Sequence, residues 1–241
     1  EYPRGTDGSY KDKPLRLLVQ LNFEKLPHIE DFPRQGILQI FLACENDCLY
    51  GFDFNSADEQ TDQNGFRVIY HKDIITDTSL LISDDDIPCD SFSSDEYDFP
   101  LKKEFILCAE EPDKCPATPN DYRFSNALVS SYSEIMAQEV SNYWNIDGYD
   151  TLYDRCPESV AFIGGYPRFT QSDPREDCPS LEGFDRVLFE LGSLQGEEIT
   201  SWGGHDFDII WGDVGTGVFL IPAEKLRACD FSEVVYNYDC G

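Results

Sequence analysis

The stretch Gly164-Gly165-Tyr166-Pro167-Arg168, followed by Gln171-x-Asp173-Pro174-Arg175, holds the residue types best suited to capturing a ligand. Two glycines allow close backbone approach, and two prolines stiffen the chain. Tyr166 offers a ring and a hydroxyl, while Arg168 and Arg175 offer planar cations that fit a carboxylate or another anion. Among 18 basic and 47 acidic residues, two arginines in one loop stand out. Their plainer use is an ion pair with Asp173 and Glu176 that braces the loop. Arg175→Ala separates the two uses: capture predicts lost binding at a nearly unchanged melting temperature, and bracing predicts lost stability.

A second stretch, Trp211-Gly212-Asp213 followed by Gly215-Thr216-Gly217, reads as a turn. Gly212, Gly215 and Gly217 are expected to supply positive-φ positions, and Asp213 to bond its own backbone two residues on. Trp211 is expected to anchor the turn in the core. The alternative makes Asp213 a metal or substrate ligand at the rim of a cleft.

The remaining chemistry is thin. Gly215-Thr216-Gly217 lacks the Lys-Ser/Thr of a phosphate loop, and no GxSxG elbow occurs. Nine cysteines and three histidines do not form zinc-type spacings, so no metal and no cofactor is expected. Acidic pairs such as Asp206 and Asp208 are too numerous to single out a site.

The formal net charge is −29, which repels nucleic acid and anionic membranes and favours a basic protein partner or simple solubility. A chain of 241 residues is large enough to form a core without disulfides, so reduced thiols in a cytoplasm are expected, with Cys44 and Cys48 facing each other across a hairpin end as the exception. Because the chain opens on Glu1 rather than Met, its start is expected to be trimmed.

These residues need a β scaffold to position them. Segments 15–23, 36–54, 66–71, 101–111, 186–191 and 233–239 read as strands, with a tight turn at 45–48 making 36–54 a hairpin. The segments "FDIIW" and "VFLI" read as strands flanking the turn at 212–217. From Asp77 to Pro100 there are eight acidic residues and no basic one, read as a solvated loop. Ser125 or Asn126 would cap a helix whose stripe of Leu128, Tyr132, Ile135, Met136, Val140 and Tyr143 faces the core. That helix would end near Gly148, and Pro222 would open a helical turn.

The order repeats. "LVQL" (18–21) echoes "LFEL" (188–191), a hairpin follows each, and "VIY" (68–70) echoes "VVY" (234–236). The expectation is an α+β fold, predominantly antiparallel β, built from two similar halves by internal duplication and packed together. The halves would be roughly 1–75 and 160–241 of a single domain, joined by a connecting segment 76–159 that carries the acidic loop, a strand and the linking helix.

Segments 17–41, 163–177, 209–221 and 230–240 together resemble the YwqG-like family of uncharacterised bacterial proteins. The resemblance implies a mainly β cytoplasmic protein and no reaction. Family members carry an earlier Gly-Gly-x-Pro segment that is missing here, and some occur near toxin and immunity genes. The expectation is a non-enzymatic acidic binding protein, immunity-related by that resemblance. The competing expectation is a hydrolase or small-molecule-modifying enzyme with its pocket at the junction of the halves. The candidate binding residues are Gly164, Gly165, Tyr166, Arg168, Gln171, Asp173, Arg175, Trp211 and Asp213; oligomeric state is left open.

Overall fold

The computed structural model describes residues 2–45, 47–52, 59–83, 86–87, 98–110, 118–136, 143–149, 151, 160–199 and 205–241. In chain order its strands are β1 (Arg16–Asn22), β2 (Ile37–Leu42), β3 (Phe66–His71), β4 (Ala161–Phe162), β5 (Arg186–Gly192), β6 (Leu194–Ile199), β7 (His205–Ile209), β8 (Thr216–Ile221) and β9 (Val235–Asp239). They form an antiparallel sheet β1-β2-β3, a second antiparallel sheet β4-β5-β8-β9, and a two-stranded ribbon β6-β7. With helix α1 (Tyr122–Met136) and shorter helical turns, the fold is α+β with mostly antiparallel sheets.

The two main sheets share a core. Leu38, Ile40, Leu42, Phe66 and Val68 of the first meet Leu188, Phe189, Phe219, Ile221 and Tyr236 of the second. Tyr236 stacks on Phe219 at 4.6 Å, and Phe66 packs against both. Each buried side chain of this size contributes about 1.5–3 kcal/mol relative to exposure. Gln63 ties the sheets by hydrogen bonds: its Oε1 accepts from Val68 N at 2.9 Å, and its Nε2 donates to Phe231 O at 2.9 Å.

The second sheet is covered on its other face as well, by Phe169, Leu181 and Phe184 over Val187, Val218, Leu220 and Val235. Coverage on both sides explains why β5 and β8 are nearly continuous apolar runs. β1 and β5 each carry an irregularity at the same place, between Leu17 and Val19 and between Val187 and Phe189. The extra residue lets two successive side chains, Leu18 with Val19 and Leu188 with Phe189, enter the same core.

Several expected elements differ. β7 and β8 do not pair as a hairpin: β8 lies between β5 and β9, and β7 pairs with β6. β6 was not anticipated, because "LQGEEI" is mostly polar and a two-stranded ribbon needs little apolar pattern. Residues 49–52 form no strand after β2; Gly51 turns there at φ +79° and packs on Gly65, and β2 pairs with β3 instead. Cys44 is buried and Cys48 is exposed.

Segment 101–110 forms only an isolated bridge, Leu101 to Ile209, and leaves Phe105, Ile106 and Leu107 exposed. α1 begins at Tyr122, before Ser125, whose hydroxyl donates to Tyr122 O. Its only buried residue is Ser125, so the stripe at Ile135 and Met136 faces out, against the expectation of core contact. Val140 and most of the acidic stretch, 84–85 and 88–97, lie outside the described residues. Gly148 is left-handed at φ +81° as expected, but it follows a separate helical turn, Tyr143–Asn145, and residues 137–142 between that turn and α1 lie outside the described residues; Ala223–Arg227 is helical after Pro222, as expected.

Candidate functional site

The motif loop, residues 163–175, crosses the outer face of the second sheet. Its first anchor is Gly164 N, which donates to Val187 O at 2.8 Å. Gly164 and Gly165 both adopt positive φ, 71° and 72°, which swings the chain off β4 and back over the sheet. Phe169 then drops into the apolar cluster beneath. Thr118 Oγ1 donates to Pro167 O and Asn120 Nδ2 to Phe169 O, so the segment before α1 clamps the loop from its other side.

Two acids of the sheet hold the middle of the loop. Glu190 of β5, 1% exposed, accepts Arg168 N at 2.9 Å and Arg168 Nε at 3.1 Å. The Arg168 guanidinium also lies 4.4 Å from the Phe162 ring centroid, a cation–π contact. Asp239 of β9 accepts Thr170 N at 3.1 Å and Gln171 N at 2.8 Å. Burial pushes the Glu190 carboxyl up to about 8, against the opposing pull of Arg168, and raises Asp239 despite its bonds from Gln171 and Thr170.

The end of the loop is an internal ion cluster. Arg175 is 1% exposed. Its Nε and Nη2 donate to the two oxygens of Asp173 at 2.8 and 2.6 Å, its Nη2 to Asp121 at 3.0 Å, and its Nη1 to Phe184 O at 3.0 Å. Arg123 supplies a further bond to Asp121. Burial raises the Asp121 carboxyl, but the bond from Arg123 and the charge of Arg175 outweigh it and hold Asp121 below the usual carboxylate range. Asp173 caps the helical turn Pro174–Asp177 through Arg175 N and also accepts Tyr122 N, the first amide of α1. Arg175 and Asp173 therefore serve as braces, and their atoms are turned away from solvent.

The second motif is a turn whose details differ from expectation. Gly215 N, assigned to the Asp213 carboxylate in the Asx reading, donates to Trp211 O at 2.7 Å. Positive φ falls on Gly212 and on Val214, at 51° and 64°. Gly215 and Gly217 serve close approach: a Cβ would stand 1.9 Å from Asp239 O at the first and 2.5 Å from the Trp211 ring at the second. Trp211 is fully buried and touches Tyr50 of the first sheet's connection and Tyr238 of β9, at ring centroid distances of 5.4 and 5.8 Å.

The chain end brings the two motifs together. Gln171 Nε2 donates to Cys240 O at 2.6 Å, and Gly241 N donates to Asp213 O at 3.1 Å. Gly165, Gln171 and Asp213 are exposed, Tyr166 and Arg168 are half-buried, and Gly164, Asp173, Arg175 and Trp211 are buried. Glu190, Asp239 and Asp121 were missed as members of this region. The available signal for Glu190 was an acid between Phe189 and Leu191 in an apolar strand, which demands a partner once buried. Between the two sheets, Gly51, Phe52, Gln60, Asn64, Gly65, Phe66 and Tyr236 line a cavity of about 10 Å³, room for about one water.

Fold and surroundings thus define an α+β protein with mostly antiparallel sheets, whose two motif loops join at its surface. Over residues 1–240 the chain matches, and belongs to, the family described as a domain of unknown function, DUF1963. No curated protein matches it significantly. Among the described residues, no helix is long and apolar enough to cross a membrane.

Proposed function

We propose that this protein is a non-enzymatic acidic binding module, working in the cytoplasm, whose surface around Gly165, Tyr166, Arg168, Gln171 and Asp213 takes a basic protein partner. The observation that carries this reading is the convergence of both motifs on exposed surface through Cys240 and Gly241. A net charge of −29 supplies the attraction. The YwqG-like resemblance adds an immunity-type role as the context for such a partner. The competing hydrolase reading needs a substrate pocket at the sheet junction; among the described residues, the cavity lined there by Gly51, Phe66 and Tyr236 holds about 10 Å³, against the hundreds of Å³ that small-molecule sites occupy. Pull-down from the source cell at low and high salt tests the proposal: a partner retained at low salt and released at high salt is expected, and no partner at either overturns it.

The same reading treats residues 1–241 as one domain of two duplicated halves. Its support is the shared order β1-β2-β3 and β5-β8-β9, with bulges at Leu17/Val19 and Val187/Phe189. The pairing Leu38↔Tyr70 corresponds to Gly217↔Tyr238, so the register matches Tyr70 with Tyr238 rather than with Tyr236. The ribbon β6-β7 is then an insertion in the second half.

A further inference from the structure

Among the described residues at positive φ, Val214 is the only β-branched one, at 64°. A branch at Cβ makes that conformation a strained outlier, whereas glycine or asparagine adopts it readily. Three others use it for bonds inside the protein: Asp31 accepts from Arg186 and Arg227, Tyr50 Oη accepts Gly212 N, and Gln63 ties the sheets. Val214 instead carries an apolar side chain that is 50% exposed. One exposed valine is ordinary; one kept exposed at the cost of backbone strain calls for a reason. The turn around it is fixed. Gly212 N donates to Tyr50 Oη at 3.1 Å, Gly215 N to Trp211 O at 2.7 Å, and Gly241 N to Asp213 O at 3.1 Å. Val214 therefore sits between anchored neighbours and has little backbone freedom left to lose on contact. The exposed Asp213 places a carboxylate on the adjoining residue.

We propose that Val214 is a specificity-determining contact of the binding surface, an apolar knob held rigidly for an apolar depression on the partner, with Asp213 meeting a lysine or arginine at the rim of that depression. The inference rests on the binding reading and adds to it the chemistry of the partner's surface. Charge alone attracts any basic protein, and a fixed apolar knob beside one carboxylate selects among them by shape. The strain at Val214 is the cost of that presentation, and a substitution that relieves it gains stability while losing the contact.

Two substitutions separate strain from contact. Val214→Asn relieves the strain and removes the apolar group; Val214→Thr keeps the branch, and so the strain, but puts a hydroxyl where the partner needs a methyl. Urea unfolding should show a higher midpoint for Val214→Asn than for the wild type and a nearly unchanged one for Val214→Thr. The binding probe is the protein that a photo-crosslinking residue at Gln171 captures from low-salt extract of the source cell, identified by mass spectrometry and titrated in purified form. Both variants should bind it about tenfold or more weakly, the loss expected when one buried valine is removed or an unpaired hydroxyl is buried in its place. Undiminished binding by either variant overturns the inference and leaves the binding reading standing. A Val214→Asn protein no more stable than the wild type also overturns it, because the strain is then absent. If the wild type captures nothing, the binding reading itself fails and the inference falls with it.

Discussion

Arg175 shows how one residue type supports two opposite readings. A guanidinium in a Gly/Pro loop suits anion capture, but here its donors are consumed by Asp173, Asp121 and Phe184 O inside the protein. Removing it would leave the buried Asp173 without a cation and Asp121 with Arg123 alone, and losing one partner of a buried pair costs about 3–5 kcal/mol. Arg175→Ala is therefore expected to unfold at markedly lower urea concentration, the reverse of a variant that loses binding alone; an unchanged midpoint would refute the bracing role. Asp213 gives the contrasting case. Its carboxylate is exposed, so Asp213→Asn should move stability by no more than about 0.5 kcal/mol in the same measurement. Glu190 left one sign in the sequence, an acid between Phe189 and Leu191 in an apolar strand, but its partner Arg168 lies 22 positions away and becomes visible only in the fold.

At the level of elements, the pH dependence of stability should bear the mark of Glu190. An acid whose folded pKa is raised to about 8 from 4.5 binds its proton in the folded chain but not the unfolded one between those values. Stability from this group is complete below the lower value, falls as pH rises, and levels off above the upper one. Self-repulsion of the acidic chain acts in the same direction, so the wild-type minus Glu190→Gln difference isolates the residue. Urea unfolding across that range should show the difference shifting steadily against the wild type; a constant difference would contradict it. Gln63 makes a separate prediction. Gln63→Ala strands Val68 N and Phe231 O between the sheets and should cost about 1–3 kcal/mol in urea unfolding, with a value near zero refuting the tie. The strands β1, β3, β5, β8 and β9 were legible from branched and aromatic runs. Their partners were not, because β2 finds β3 and β5 finds β8 across long connections that no local pattern encodes. α1 misled in another way: an apolar stripe reports amphipathicity, not what lies against it, and here Ile135 and Met136 face outward.

For the whole molecule, two sheets share one core while the motifs meet on the exterior through Cys240 and Gly241. The loop was legible as a candidate surface, but which residues point outward was decided by the acids beneath it and by the Asp121–Arg175 cluster. The binding claim is tested most directly by placing a photo-crosslinking residue at Gln171, at Asp213 and, as a control, at Ser79 in an exposed turn remote in sequence from both motifs. Illumination in extract of the source cell should yield the same protein adduct from Gln171 and Asp213, stronger at low salt than at high salt, and none from Ser79. No adduct from either motif position at any salt, or equal adducts from all three positions, would contradict the account.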